Sequence, residues 1–382
     1  VSLHSHVERA LPTEEASALL DLTREIADGE LAPRAAGFEA RGEFPRDLVR
    51  TLGRAGLLGL PYPEEHGGGG QPYEVYLQVI EELARRWAGM AETVSVHTLA
   101  CYPVATFGTD EQRKRFLPDM LGGELLGAYC LSEPAGGSDA AAMTTKAAHD
   151  GDDYVVTGTK AWITHAGHAD FYNVFCRTGG PGAKGISCLL ADAATPGINP
   201  QAREKTMGLH ASPVAQIAFD GARVPADRLV GEEGIGFRIA MSALDGGRLG
   251  IAACAVGLAQ AALDYAVGYA KEREQFGRPI VEFQGIGFML ADMATQVSAA
   301  RALVLAAARL RDTGRPYGLE AAKAKLFATD MAMRVTTDAV QVLGGYGYVS
   351  DHPVERYMRE AKVLQIVEGT NQIQRLVISR AL

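Results

Sequence analysis

The chain has 382 residues, with 37 Lys+Arg against 46 Asp+Glu and a formal net charge of −9. Hydrophobic residues make up 47% and charged residues 22%, an ordinary globular balance, and the length predicts two or three domains that each bury a core. The acidic balance gives a phosphate backbone no general reason to bind, so nucleic acid is not expected as a partner, whereas a single phosphorylated ligand is still compatible.

Cys101, Cys130, Cys176, Cys188 and Cys254 are odd in number and form no CxxC pair. Neither a fully paired disulfide framework nor a usual zinc pattern fits them, and no metal is expected. The most apolar stretch, Leu249 to Ala259, is too short to span a bilayer, so no membrane partner is expected either. Val1-Ser2-Leu3-His4 has neither a basic n-region nor an apolar h-region. A soluble protein of a reducing compartment is the expectation: bacterial cytoplasm, or mitochondrial matrix if a transit peptide has been removed.

Residues 1–123 alternate helical patterns with Gly/Pro breaks. Leu19, Leu22 and Ile26 recur at helix spacing after Pro12-Thr13-Glu14-Glu15. Tyr73 to Trp87 continues the helical texture, and Asp110-Glu111-Gln112 opens a short helix expected to end before Pro118. Residues 124–233 read as strands. Asp153 to Thr159, Phe171 to Cys176, Ile186 to Leu190 and Val214 to Phe219 are rich in β-branched and aromatic residues, with turn signals between them. They predict a small barrel or sandwich. Residues 234–382 change period: Ile286, Met289, Met293, Val297, Ala300 and Val304 mark one face of a long helix. A further helix runs to Leu343, where Gly344-Gly345 stops it. The predicted class is α+β: an all-α domain 1–123, a β domain 124–233 and a helix bundle 234–382. Strands not interleaved with helices exclude a doubly wound sheet and a TIM barrel.

Four segments are candidates for chemistry. Tyr129 to Asp139 ends a strand in a Gly-rich turn whose N–H groups and hydroxyls suit a flat heteroaromatic ring or a phosphate; a plain β-to-loop turn is the simpler reading of that run alone. Lys160-Ala161-Trp162-Ile163-Thr164 offers a ring face and a hydroxyl, although Trp162 taken alone reads as a core residue. Arg248, in the apolar stretch after Asp245, needs a partner, either a carboxylate or a ligand. Glu368 stands between Ile366-Val367 and Gly369, just before a helix start at Thr370 or Asn371. Burial there would raise its pKa and suit a general base; the helix dipole opposes this, and service to the helix N-terminus is the alternative role.

Together these segments resemble the acyl-CoA dehydrogenase family of flavoenzymes over nearly the whole chain. The motifs are Leu131-Ser132-Glu133-Pro134 with Gly137-Ser138-Asp139, Gly158 to Thr164, Arg273-Glu274-Gln275-Phe276-Gly277, Gln341 to Gly347 and Glu368-Gly369-Thr370. The resemblance implies an N-terminal helical domain, a middle β domain and a C-terminal four-helix bundle, usually in a homotetramer. It implies FAD, with Tyr129, Leu131, Ser132, Gly137, Ser138, Trp162, Ile163 and Thr164 about the isoalloxazine, and Thr164 near N5. Arg273, Gln275, Phe276, Phe283 and Gln284 match positions near its phosphates and adenine. Gln341, Val342, Gly344 and Gly345 match a segment reaching the flavin nucleotide of a neighbouring subunit. Thr370, Asn371 and Gln372 complete the cofactor set, while Ser138, Asp245, Arg248 and Gly369 match acyl-CoA contacts.

Glu368 matches the family's catalytic base, which implies α-proton removal as the β-hydrogen leaves as hydride to the flavin. The product would be a trans-2-enoyl-CoA, with electrons passing to electron-transfer flavoprotein. An alternative base position in the isovaleryl-type subgroup is Gly247 here, which cannot serve. Val367 in place of the frequent Tyr keeps short- to medium-chain and branched substrates open. The rivals are an acyl-CoA oxidase, which usually carries an extra C-terminal domain, a nucleic-acid-binding relative, which carries an added basic domain, and a structural oligomer.

Overall fold

Thr13 sets the first boundary. Its hydroxyl accepts from Ala16 N at 3.1 Å, and α1 (Glu14–Ile26) begins there with Glu14 and Glu15 in its positive first turn. The computed structural model describes residue 7 and residues 9 to 382; Val1-Ser2-Leu3-His4 lies outside the described residues. A π turn joins α1 to α2 (Ala32–Arg41), and α3 (Arg46–Arg54) leads to α4 (Tyr73–Arg86) and α5 (Ala88–Phe107). α6 (Asp110–Leu121) opens on a Thr109/Gln112 capping box. It runs through Pro118 rather than ending before it, because the last turn closes on that residue's own carbonyl, Gly122 N to Pro118 O, at 2.9 Å.

The middle third is a curled seven-stranded sheet in the order β1-β4-β2-β3-β7-β6, with β5 also on β4. Its strands are β1 (Gly127–Cys130), β2 (Lys146–Asp150), β3 (Asp153–Thr164), β4 (Phe171–Arg177), β5 (Ile186–Asp192), β6 (Ile198–Pro200) and β7 (Val214–Pro225). β1 runs parallel to β4, and β3 pairs antiparallel with β7 from Asp153↔Pro225 to Thr164↔Val214. That ladder breaks register between Lys160 and Ile163, so Ala161 and Trp162 leave it.

The last third is built on α7 (Gly236–Glu272), a 37-residue helix. A β8–β9 hairpin (Glu274–Gln275, Arg278–Pro279) leads to α8 (Gln284–Asp312), then α9 (Gly318–Leu343), α10 (Val354–Leu364) and α11 (Asn371–Ser379). By length and composition α7 and α8 could each cross a membrane, which the short Leu249–Ala259 run did not reveal. The most apolar window of α7 is 89% buried in the fold, as a core helix's is. All five cysteines are free and buried.

Two cores meet on α5 and α7. Ala88, Met90, Ala91 and Val94 of α5 pack with Leu249 to Ala270 of α7 in the bundle core. Leu99 to Val104 of α5 pack with Ile239 to Leu244 of α7 against the sheet. The joint between the cores therefore falls about α5 residues 92–98, where Val94 still packs on the bundle side, and at Asp245–Arg248. His97 locks this joint to β1: Nε2 lies 2.7 Å from Met120 O, and Nδ1 accepts from Gly127 N at 3.1 Å. Beneath it, α4 carries a buried ion network. Glu82 meets Arg9, Arg24, Arg85 and Arg86, and Glu81 meets Arg9 and Arg301.

Candidate active site

Glu368 is held in a strained turn. Its φ is +53° and that of Gly369 is +90°, and a set of hydrogen bonds fixes the residues on its C-terminal side. Lys325 Nζ donates to Gly369 O at 3.0 Å and to Asn371 Oδ1 at 2.9 Å, while Gln374 Nε2 donates to Gly369 O at 2.8 Å. Asn371 N donates to Gln365 O at 3.0 Å. Thr370 caps α11 by accepting from Ile373 N. With the backbone so pinned, the side chain enters the joint, where both carboxylate oxygens are shut from solvent without a hydrogen-bond partner among the described residues.

Burial pushes the Glu368 carboxyl up to about 8, and the Glu92 carboxyl adds to the rise; Lys325 and Arg248 oppose it. Desolvation is thus the largest influence on this carboxyl, the direction that suits a general base. Gly247 makes room for the carboxylate: a Cβ there would lie 2.0 Å from Glu368 Oε2.

Next to Gly247 on α7, Arg248 pairs with Asp245 at 2.6 Å, so its partner is a carboxylate three residues back. The pair borders Glu368 on one side and Tyr317 on the other.

The opposite wall comes from the sheet. The break in β3 puts Trp162 at φ +61° and 65% exposed, so it is no core residue. The unpaired Ala161 N bonds instead to Ser132 O at 2.9 Å, which joins the two candidate segments. Lys160, fully buried, reinforces the junction by donating to Leu131 O at 2.9 Å and to Glu133 Oε1 at 3.0 Å. Ser132 is half-buried; Gly137 and Ser138 are exposed beside them. Tyr129 donates to Ala240 O at 3.1 Å.

Some sequence candidates point elsewhere. The Ile163, Leu131 and Val342 side chains lie in cores and leave only backbone for a ligand. Asn371 is a correction: its side chain is spent inside on Lys325, Thr329 and Asp330, because it fills the interior end of the α11 cap. Gln372 is exposed. The hairpin group of Arg273, Gln275, Phe276, Phe283 and Gln284 lies at the far end of α7 from the sheet, as do the exposed Gln341, Gly344 and Gly345. Within this one chain, these two groups do not join the wall formed by β3.

Sequence reasoning missed Glu92, Ser212 and Lys325, and it placed Lys160 in the second candidate segment without giving it a role. Glu92 had a signal: it is the sole Asp, Glu, Lys or Arg in α5.

Strain concentrates where chemistry was expected. Among the described residues, the five non-glycine residues with positive φ are Trp162, His165, Leu209, Phe276 and Glu368. Four of them lie in or next to the candidate segments, and Leu209 opens the turn that carries Ser212.

Residues 13–124, 128–222 and 234–382 match the N-terminal, middle and C-terminal domains of acyl-CoA dehydrogenase. An acyl-CoA dehydrogenase of Bacillus subtilis is 46% identical, covering 97% of this chain and 98% of its own. A short-chain-specific acyl-CoA dehydrogenase of Clostridium acetobutylicum is 42% identical over 96% of this chain and 97% of its own. Butyryl-CoA dehydrogenase from Megasphaera elsdenii superposes with TM-score 0.95 at 42% identity, covering 98% and 99%. A chain solved in work on the electron transferring flavoprotein of Acidaminococcus fermentans gives 0.96 at 46% identity, covering 98% and 99%.

The chain belongs to the acyl-CoA dehydrogenase family. It is an acyl-CoA dehydrogenase, an oxidoreductase whose cofactor is FAD.

The residues present fit that cofactor. Trp162 offers an exposed ring on the strand end that carries Thr164 and is bonded to Ser132, and the guanidinium of Arg273 lies 5.7 Å over the Tyr346 ring without a carboxylate ion pair among the described residues.

Proposed function

We propose that this protein dehydrogenates short-chain acyl-CoA thioesters to trans-2-enoyl-CoA, with Glu368 as the base, and passes electrons to electron-transfer flavoprotein. The carrying observation is the buried, unpartnered Glu368 carboxylate seated against Gly247. The similarity to short-chain-specific and butyryl-CoA enzymes supports the chain length, and the chain solved with the Acidaminococcus flavoprotein work supports the electron acceptor.

FAD, when bound, supplies the hydride acceptor. The protein's residues do the rest. Ser132, Ser138, Trp162, Thr164 and Thr370 would hold the ring and its chain, and Arg273 and Gln275 would serve phosphates of the cofactor. Glu368 takes the α-proton on a carboxylate oxygen that no other donor among the described residues claims. Lys325 and Gln374 fix the Glu368–Gly369 turn, so the base meets one α-carbon position. Asp245 and Arg248 line the approach for the thioester's pantetheine arm. The exposed aromatics Phe276, Phe288, Tyr346 and Tyr348 on the helical third favour a homotetramer, in which the hairpin and Gln341–Gly345 of one copy would complete the site of another.

Purified protein should be yellow, and butyryl-CoA should bleach its flavin anaerobically. Glu368→Gln should still bind flavin and ligand yet lose nearly all reduction. A protein that cannot be reconstituted with FAD would overturn the reading, and undiminished reduction in the variant would move the base elsewhere.

A further inference from the structure

A second carboxyl stands in the joint, and the reaction as derived does not use it. Glu92 projects from α5 with 5% of its surface exposed. Its Oε2 accepts from Ser212 Oγ at 2.5 Å, and its Oε1 accepts from Thr164 Oγ1 at 3.3 Å. Thr164 closes β3 two residues beyond the break that exposes Trp162, and strained residues flank both partners: Trp162 and His165 about Thr164, Leu209 before Ser212. The charges and titratable groups around Glu92 come from four elements. Glu39 faces it from α2, Glu368 from the turn before α11 and Cys254 from α7, while Lys325 of α9 and Arg248 of α7 act on Glu368. Burial, opposed by the two hydroxyls and aided by Glu39, pushes the Glu92 carboxyl up to about 7.

We propose that Glu92 is a positioning residue for the flavin: through Thr164 Oγ1 it decides whether that hydroxyl proton points into the protein or toward the flavin edge, and thereby couples one solvent proton to flavin reduction. The proposal rests on the FAD reading above, in which Thr164 lies at that edge. A hydroxyl has one proton to donate. When Glu92 is ionised, the Thr164 proton is committed to Oε1. When Glu92 is protonated, its own O–H donates to Thr164 Oγ1, and the Thr164 hydrogen turns outward. Reduction adds two electrons at the edge Thr164 faces, which favours both a donor there and the loss of the Glu92 charge. The reduced protein therefore binds a proton at Glu92 more tightly, taking it from solvent; no substrate bond changes.

The test is spectroelectrochemical titration of the flavin-loaded protein across pH. It compares the unmodified chain, Glu92→Gln and Ser212→Ala, each also in a Glu368→Gln background that removes the base's own proton. Glu92→Gln is isosteric and keeps a bonding role between α5 and the sheet, so a purely structural function would leave the curve unchanged. The expected curve for the unmodified chain has a step through neutral pH worth at least tenfold in the reduction equilibrium, about 30 mV for a two-electron couple. Glu92→Gln loses the step and lies above the unmodified chain at alkaline pH. Ser212→Ala moves the step to higher pH, because it removes a bond that favours the carboxylate; this arm decides the matter should Glu92→Gln not fold. Superimposable curves, or a step unmoved by Ser212→Ala, overturn the proposal. A protein that takes up no FAD overturns the cofactor reading instead, so the two failures are distinct.

Discussion

Gly247→Ala separates the position of the base from the stability of the fold. The added Cβ would lie 2.0 Å from Glu368 Oε2 and 2.8 Å from its Cδ. Contact between such atoms is comfortable at about 3.5 Å, so the carboxylate must retreat by about 1.5 Å. It is the free end of a flexible side chain, which lets it swing without moving the backbone. The helix itself gains about 1 kcal/mol from the glycine-to-alanine change. A displacement of ~1 Å at a reacting group costs on the order of 100-fold in rate, equivalent to about 2.7 kcal/mol in the barrier. The expected variant therefore melts no lower than the parent, holds a full complement of flavin and is reduced about 100-fold more slowly by butyryl-CoA in anaerobic stopped flow. A control is Gly257→Ala on the same helix, where the new atom would meet the backbone carbonyl of Glu81 at 2.3 Å. Neither partner there can swing away, so about 1–3 kcal/mol of stability should go while reduction per bound flavin is kept. Reduction of Gly247→Ala within threefold of the parent would refute the seating of Glu368 against this glycine.

Two further predictions come from titrating groups. The base must be ionised to act, so kcat/KM should fall with a one-proton limb as pH drops below about 8. Its folded pKa lies above the ordinary 4.5, so its contribution to stability is intact below 4.5 and lost as pH rises through about 8. Without flavin, Glu368→Gln should then melt above the parent at pH ~9, and the gap should close near pH ~4.5; equal melting temperatures at both pH values would contradict the burial argument. Glu82 has the opposite sign. Burial alone would raise it, but Arg9, Arg85 and Arg86 hold it down at about 2, so its stabilisation is present above 4.5 and lost as pH falls toward 2. Glu82→Gln strands those buried arginines and should cost about 3–5 kcal/mol in urea unfolding at neutral pH. A cost under about 1 kcal/mol would mean the arginines are rescued by Asp28, Asp264 and Glu81.

The three-part order was legible because it depends on period: strands between Asp153 and Phe219, and 3.6-residue spacing from Ile286 onward. The helix cap at Thr370 and the stop at Gly344 were legible because capping chemistry is local. What escaped depends on contacts distant in sequence. Trp162 reads as core until the register break turns it outward, and that break is set by pairing with β7 more than 50 residues away. Asn371 sits beside the base in sequence, yet it faces α9 because Lys325 and Thr329 claim it. Glu92 was visible as a lone acid on an apolar helix, the same signal that drew attention to Arg248 in α7. Its meaning needed Ser212 and Thr164, which the sheet brings to it.

The five thiols have a practical consequence. Each is buried, and burial pushes every one of them well up, Cys176 to about 12, so in the folded chain almost none is the reactive thiolate. They are spread over α5, β1, β4, β5 and α7, one in each. An alkylating reagent therefore reads out opening events: Cys254 reports exposure of the central helix, and Cys130, Cys176 and Cys188 report parting of the sheet. The order in which mass spectrometry finds them labelled maps which layer of the protein yields first, with no probe engineered into it.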